Sequence, residues 1–291
     1  MKLYSPAAII ALKEKHNFRA SKSLGQNFLI DQNITNRIIE SSQIEADDLV
    51  IEIGPGMGVL TAAAAQCAAK VIAVEIDKNL IPVLKDSLSG FDNIDIINSD
   101  LLKVSLSGLI EQYKRENNQS GCRVIVIGNL PYCITTPAIM KVLEERADVE
   151  RLVVMVQKEV ADRIKAKPGT KAYGAISAVI NYYCLVRHVM DVPRDVFFPR
   201  PNVDSAILRF DVRTEPPVSL ADEKAFFACI KAGFGQRRKT LLNSLTGIYG
   251  LSKQEVAKAL QNASIDPIRR AETLNIDEFA VLANCIFSEG H

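Results

Sequence analysis

Short, almost wholly apolar runs alternate with helix-spaced stretches through the first half of this chain. Asp48–Ile53, Val71–Glu75, Ile94–Asn98, Arg123–Gly128 and Leu152–Val156 read as strands, rich in Val and Ile and bounded by turn residues. Thr61–Ala69 and Asn79–Leu88 between them read as helices. Thr136 followed by Pro137 predicts an N-cap and a first helical position, so a helix is expected from Pro137 to about Arg146. Strands alternating with helices imply an α/β fold, a mostly parallel sheet covered on both faces. Residues 1–48 read as helical and polar, with a basic bias. Residues 177–192 and 205–212 read as further strands with little helix between them, an antiparallel edge. Glu215-Pro216-Pro217 interrupts the pattern, and 221–235, 238–248, 252–262 and 276–287 all read as helices. The expected organisation is an α/β domain over 1–215, opening with the helical segment 1–48, and a small all-helical domain over 216–291.

Composition adds a class and a few exclusions. The chain has 291 residues, 48% hydrophobic and 24% charged, enough for a sizeable core in an ordinary globular protein. The net charge of +1 does not point to nucleic acid, but its distribution does. Lys158, Arg163, Lys165, Lys167 and Lys171 are opposed only by Glu159 and Asp162. Lys231, Arg237, Arg238 and Lys239 form a second basic cluster with no acid among them. Such patches fit a phosphate backbone held on one face; solvated helix faces are the other reading of each. The six cysteines include no Cys-x-x-Cys pair, and the three histidines have no metal spacing, so no metal site is expected. Free thiols, no membrane-length apolar run and no leader signature point to the cytoplasm.

The candidate chemistry lies at the carboxyl ends of the predicted strands. Glu52-Ile-Gly54-Pro-Gly56-Met-Gly58 is a glycine turn that lets backbone approach a ligand closely. The dinucleotide spacing would need a third glycine where Val59 stands, so no pyrophosphate is expected there. Glu75 ends the second strand, placed to accept hydrogen bonds from both hydroxyls of a ribose, with Asp77 as a bystander. Asp100 follows the third strand and could accept from an adenine amino group; a helix N-cap is its plainer role. Asn129-Leu130-Pro131-Tyr132 follows the fourth strand. The Asn129 side-chain oxygen and the Leu130 carbonyl could both accept from the amino group of a base, with Tyr132 stacked on the ring. Phe198 could face that base from the other side. Cys133 reads as a packing residue rather than a nucleophile. A cofactor turn beside a base-amine clamp implies methyl transfer to an exocyclic nitrogen by positioning and electrostatics.

The glycine turn led by Glu52 resembles that of class I S-adenosylmethionine methyltransferases. The whole string resembles the KsgA (RsmA) family of ribosomal RNA adenine N6-dimethyltransferases. The resemblance runs from Ser23–Leu29 through Glu52–Gly58, Glu75, Asp100, Asn129–Tyr132, Gln157–Ala161, Pro168–Gly174 and Phe198–Ser205 to Phe234–Leu241. It implies a Rossmann-like methyltransferase sheet with a small C-terminal all-helical domain. It implies S-adenosylmethionine as cofactor, held by Asn27, Leu29, Gly54, Gly56, Glu75, Asp100 and Asn129, with Asn129, Leu130, Pro131, Tyr132 and Phe198 at the reacting base. The expected activity is dimethylation of two adjacent adenosines in a hairpin loop near the 3′ end of 16S ribosomal RNA. The expected partner is that RNA within an assembling 30S particle, met by a monomer and without a membrane. Three rivals remain: an Erm-type enzyme acting on 23S RNA, a non-catalytic nucleic-acid-binding factor on the same fold, and a DNA adenine methyltransferase.

Overall fold

The computed structural model describes residues 3–21 and 24–290, so Ser23 of the first motif and His291 lie outside the described residues. The helices are α1 (Pro6–Lys15), α2 (Gln32–Ser42), α3 (Val59–Ala65), α4 (Ile81–Ser87), α5 (Leu106–Glu116) and α6 (Thr135–Glu144), then α7 (Lys158–Ile164), α8 (Ala175–Tyr183), α9 (Glu223–Gly235), α10 (Leu241–Leu245), α11 (Lys253–Asn262) and α12 (Ile276–Gly290). The strands are β1 (Phe28–Leu29), β2 (Leu49–Ile53), β3 (Lys70–Glu75), β4 (Ile94–Asn98), β5 (Val124–Asn129), β6 (Arg151–Gln157), β7 (Cys184–Val192), β8 (Phe197–Phe198) and β9 (Ser205–Val212). Seven of them form one sheet in the order β4-β3-β2-β5-β6-β9-β7. The pairs β4/β3, β3/β2, β2/β5 and β5/β6 are parallel, and β9 runs antiparallel to β6 with Ser205 opposite Gln157. This is the Rossmann-like architecture that the alternating pattern implies. The sequence order reverses direction across β2/β5, the place where open parallel sheets bind ligands.

The central strands are apolar because both faces are covered. Every residue of β2 is buried, as are the first five of β5. On one face α2 and α3 bring Ile34, Ile38, Leu60 and Ala64 against Val50, Ile125, Val153 and Ile207. Ile9, Leu12, Phe18, Phe28, Met57, Leu80 and Leu84 pack together in an adjoining cluster. Helix starts follow local chemistry. Asp31 accepts from the backbone of Asn33 and Ile34 at α2, and Ser252 with Glu255 forms a capping box at α11. β1 pairs with β8, placing Phe28 opposite Phe198 and binding the segment before α2 to the loop before β9.

The chain divides into two compact units: Met1–Ala161 with Arg187–Val212, and Asp162–Val186 with Arg213–His291. The expected single boundary near Pro216 therefore leaves 162–186 on the wrong side. Its cause is α8, which the sequence pattern presents as the first half of a strand over 177–192. The run Ala175–Tyr183 is apolar and rich in β-branched and aromatic residues, where periodicity alone does not separate strand from buried helix. It is helical, and the Tyr182 ring packs 5.1 Å from that of Phe226 on α9, within the second unit's core.

Other expectations also shift. Helix α5, capped by Ser105, has no counterpart among the predicted elements. The segment 1–48 contains β1 as well as two helices. α6 begins at Thr135 with Ile134 as N-cap, so Thr136 is not the cap; the Thr135 hydroxyl donates to the Pro131 carbonyl. The helix expected over 238–248 shrinks to α10. Gln236 leaves helical geometry, and the first amides of α10 donate instead to the carbonyls of Arg269 and Pro267.

Gly128 marks where packing meets the site. A Cβ built there would lie 2.8 Å from the Ile53 carbonyl oxygen and 3.2 Å from Leu130 Cδ2. Backbone cannot yield as a side chain does. Gly128→Ala is expected to destabilise the protein by about 1–3 kcal/mol, as overpacked cores do, read by urea denaturation; an unchanged midpoint would contradict this packing.

Candidate active site

The carboxyl ends of β2, β3, β4 and β5 open onto one pocket. Asn27, Leu29, Gly54, Gly56, Glu75, Asp100, Asn129, Leu130, Pro131 and Tyr132 all line it. Phe198 does not line it. Its ring sits on β8, paired with Phe28, with Lys13 Nζ 5.2 Å from its centroid. Cys133, expected to pack, is exposed and lines the pocket, because the turn after Tyr132 leads the chain outward before α6 starts.

The glycine turn has the geometry its composition suggests. Gly54 and Gly56 adopt φ of +68° and +58°, which L side chains rarely take. A Cβ at Gly56 would also press to 3.1 Å from Phe28 Cδ1. The turn is thus open to a ligand on one side and closed by the N-terminal segment on the other.

Glu75 is buried, and its oxygens accept from the backbone amides of Asp77 (2.8 Å) and Gly56 (3.4 Å). Burial raises its carboxyl above the ordinary range, and these amides oppose the rise. Asp77 is more than a bystander. It is buried and accepts from Gln26 Nε2 at 2.8 Å, while Gln26 Oε1 accepts from the Ser21 amide at 2.7 Å, tying the 24–27 loop to the end of β3. Asp100 fills its plainer role: Oδ1 accepts from the Leu102 amide at 3.0 Å and caps the short 3-10 turn Leu101–Lys103. No described residue donates to its other oxygen, and it lines the pocket as well.

Asn129 is oriented by the same N-terminal loop. Its Nδ2 donates to the Asn27 carbonyl at 2.9 Å, so Oδ1 is the atom left for a ligand. Leu130 is buried and its amide donates to the Met155 carbonyl at 3.2 Å, while its own carbonyl takes no hydrogen bond from a described residue. Two free acceptors therefore stand side by side at the end of β5. Tyr132 is half-buried, with its hydroxyl 3.2 Å from Ser205 Oγ on β9.

Three lining residues are not singled out by the sequence as site residues. Ile76 and Leu102 are 50% and 40% exposed, an unusual state for aliphatic side chains, and they flank Glu75 and Asp100. Such a pair suits a flat aromatic ring, and the available signal was an apolar residue close after each acid. Glu52 is the third. It is 1% exposed, and its Oε2 is buried without a hydrogen-bond partner among the described residues. Burial pushes its carboxyl up to about 8, tempered by the nearby Thr61 hydroxyl and reinforced by Glu75. Among the described residues lining the pocket are three acids, Glu52, Glu75 and Asp100, and no Lys, Arg or His. No group of three or more His, Cys, Asp or Glu among the described residues could hold a metal ion.

The raised Glu52 carboxyl has a consequence for stability. Unfolded, it ionises near the ordinary carboxylate value; folded, it keeps its proton to about pH 8. The native state binds the extra proton in that window, so this group's contribution falls as pH rises, by up to about 1.4 kcal/mol per unit. Glu52→Gln is expected to flatten the loss of stability between about pH 5 and 8, measured by chemical denaturation without ligand. An identical pH slope in both proteins would refute the buried neutral acid.

Known proteins share this fold. The family model described as ribosomal RNA adenine dimethylase matches residues 17–286. The chain is 50% identical over 285 residues to the ribosomal RNA small subunit methyltransferase A of Clostridioides difficile, covering 98% of this chain and 97% of that protein. The crystal structure of a dimethyladenosine transferase from Plasmodium falciparum matches with a TM-score of 0.75 at 25% identity, over 90% of this chain and 98% of that one. The 23S rRNA methyltransferase ErmE matches with a TM-score of 0.66 at 26% identity, over 90% of this chain and all of that one.

Proposed function

The chain belongs to the ribosomal RNA adenine dimethylase family, and from that membership we propose that it uses S-adenosylmethionine to dimethylate two adjacent adenosines near the 3′ end of 16S ribosomal RNA. The target lies in a hairpin loop, met on an assembling 30S particle by a cytoplasmic monomer. No described helix is long and apolar enough to cross a membrane. The 50% identity to a small-subunit enzyme against 26% to ErmE favours the small-subunit substrate over the large.

One observation carries the cofactor: the pocket is lined by three carboxyl groups and no described base. A phosphate-bearing cofactor would find no basic side chain there among the described residues. A cationic nucleoside fits, with Glu75 for the ribose hydroxyls, Ile76 and Leu102 for the adenine faces, Asp100 for its amino group, and Gly54 and Gly56 for close approach. Asn27 and Leu29 complete the wall. S-adenosylmethionine supplies a methyl group on a sulfonium, a leaving group that needs no metal.

The protein itself must make an aromatic amine nucleophilic. The amine lone pair is delocalised into the base. In the first transfer, hydrogen bonds from its two N–H groups to Asn129 Oδ1 and the Leu130 carbonyl draw the nitrogen towards tetrahedral geometry and free that pair. The S–CH3 bond breaks to leave a neutral thioether, the nitrogen sheds one proton to solvent, and the monomethylated amine keeps a single N–H for the second transfer. Pro131 fixes the backbone between these acceptors and Tyr132, whose ring stacks on the base. Phe198 would meet the base only from outside the pocket.

The second unit supplies a basic face. Lys167 and Lys171 share that unit with Arg238 and Lys239, and all four are exposed without an ion-pair partner among the described residues. The expected boundary near Pro216 would place these two clusters in separate domains. Arg237 plays a different part. It donates to the carbonyls of Lys171 (2.9 Å) and Tyr173 (3.3 Å) and brings the two segments together.

The defining experiment is methyl transfer from labelled cofactor to undermethylated small subunits, with the modified bases mapped. Two adjacent dimethyladenosines in the 3′ hairpin are expected; label in 23S RNA instead would overturn the assignment. Asn129→Ala is expected to lose about 10²–10³ in turnover with folding and RNA binding retained; near-normal turnover would exclude the clamp. Replacing Lys171, Arg238 and Lys239 together by alanine is expected to weaken RNA binding and to flatten its salt dependence, by about one unit of slope per lost phosphate contact. Cofactor affinity should not change, while Arg237→Ala should lower thermal stability. An unaltered salt slope in the triple variant would remove these side chains from the RNA surface.

A further inference from the structure

Glu52 does something in the pocket that the ribose, adenine and amine contacts leave unexplained. It is the last acid of β2 before the glycine turn, buried between Ala73 of β3 and Ile127 of β5, its register partners. Its Oε2 makes no hydrogen bond of ordinary geometry among the described residues; the buried Thr61 hydroxyl on α3 lies close enough to favour the charged form but makes none either. The charged groups that share the pocket with it are Glu75 and Asp100, with Asp77 behind Glu75; all are acids. Glu75 has two backbone amides to offset its charge, and Asp100 has one. No described hydrogen bond reaches Glu52 Oε2. An unpaired carboxylate in this position, buried and beside a second acid, is strongly disfavoured unless it is neutralised.

Two states neutralise it: a bound proton or a bound cation. We propose that Glu52 is protonated in the ligand-free pocket and surrenders its proton to solvent when the cationic cofactor enters, remaining as the carboxylate that matches the cofactor's positive charge. This rests on the S-adenosylmethionine reading above. The exchange balances: one O–H bond of the Glu52 carboxyl breaks, the proton leaves to water, and the incoming positive charge replaces it. Cofactor binding is then coupled to proton release, and affinity rises with pH until Glu52 ionises in the free protein. The carboxyl value of about 8 places physiological pH inside that range.

The cation has two sources on the cofactor, the sulfonium and the amino-acid ammonium. S-adenosylhomocysteine keeps the second and lacks the first, so it tells them apart. If the sulfonium is the partner, the demethylated product leaves Glu52 uncompensated until it regains a proton, which favours exchange of product for fresh cofactor.

The test is titration calorimetry near pH 7 in buffers of different ionisation enthalpy, which counts protons released per cofactor bound. The cofactor's own amino group titrates near neutrality, so the count is repeated at about pH 6, where that group is charged both free and bound and only Glu52 differs between the two proteins. Wild type is expected to release roughly one proton more than Glu52→Gln on binding S-adenosylmethionine. Equal proton counts with intact binding would overturn the proton step and leave the cofactor assignment standing. No binding of S-adenosylmethionine to wild type would overturn both. Release by wild type with S-adenosylhomocysteine as well identifies the ammonium; its absence identifies the sulfonium. Difference infrared spectroscopy of wild type alone gives a check that no variant can compromise. A protonated-carboxyl band should disappear when S-adenosylmethionine binds, and its persistence would refute the proposal.

Discussion

Three carboxyl groups share the ends of β2, β3 and β4, and no described basic side chain lines the space between them. Like charges gathered around one pocket repel. Each meets a different local environment: two backbone amides at Glu75, the cap of a 3-10 turn at Asp100, and at Glu52 a burial that favours the neutral acid. The parallel sheet makes the gathering unavoidable, because adjacent parallel strands end at one edge. On the proposed reading, these acids face the cofactor's positive charge, and β5 beside them brings the acceptors for the amine.

The N-terminal loop is the second condition for the site. Gln26 ties it to Asp77 at the end of β3, and its Asn27 carbonyl takes the Asn129 amide. Those two bonds join the cofactor side of the pocket to the amine clamp. The β1/β8 pair holds the same segment to the loop before β9, and Phe28 lies against Gly56. The segment thus acts on chemistry that it does not itself perform. It fixes which atom of Asn129 is free, and an amide turned the other way would present a donor to an amine that needs an acceptor.

Much of this was legible in the sequence, for identifiable reasons. Strands β2, β3, β5 and β6 are largely buried runs rich in Val and Ile, with β4 as a half-exposed edge, a signal that survives without tertiary knowledge. Strand ends then place Gly54, Glu75, Asp100 and Asn129 together by topology alone. What was not legible depends on packing. α8 looks like a strand because its β-branched and aromatic residues are buried by α9, which local periodicity does not reveal. The misplaced domain boundary follows from that. Asn27 is reached only through resemblance, since its contribution is a backbone carbonyl that any residue could supply. Glu52 is visible as a motif residue, but its isolation from hydrogen-bond partners is a property of three dimensions. Phe198 pairs with Phe28 across β1/β8 and is not among the residues lining the pocket.

The central claim is that Asn129 Oδ1 and the Leu130 carbonyl receive the target amine beside a cofactor held by the three acids. The most direct measurement is a crystal structure of the protein with S-adenosylhomocysteine and an adenosine-bearing RNA hairpin. The account predicts the adenine amino group within hydrogen-bond distance of both acceptors, its ring against Tyr132, and the cofactor ribose on Glu75. An adenosine bound with its amino group turned away from Asn129, or a cofactor lying clear of Glu75 and Asp100, would contradict it.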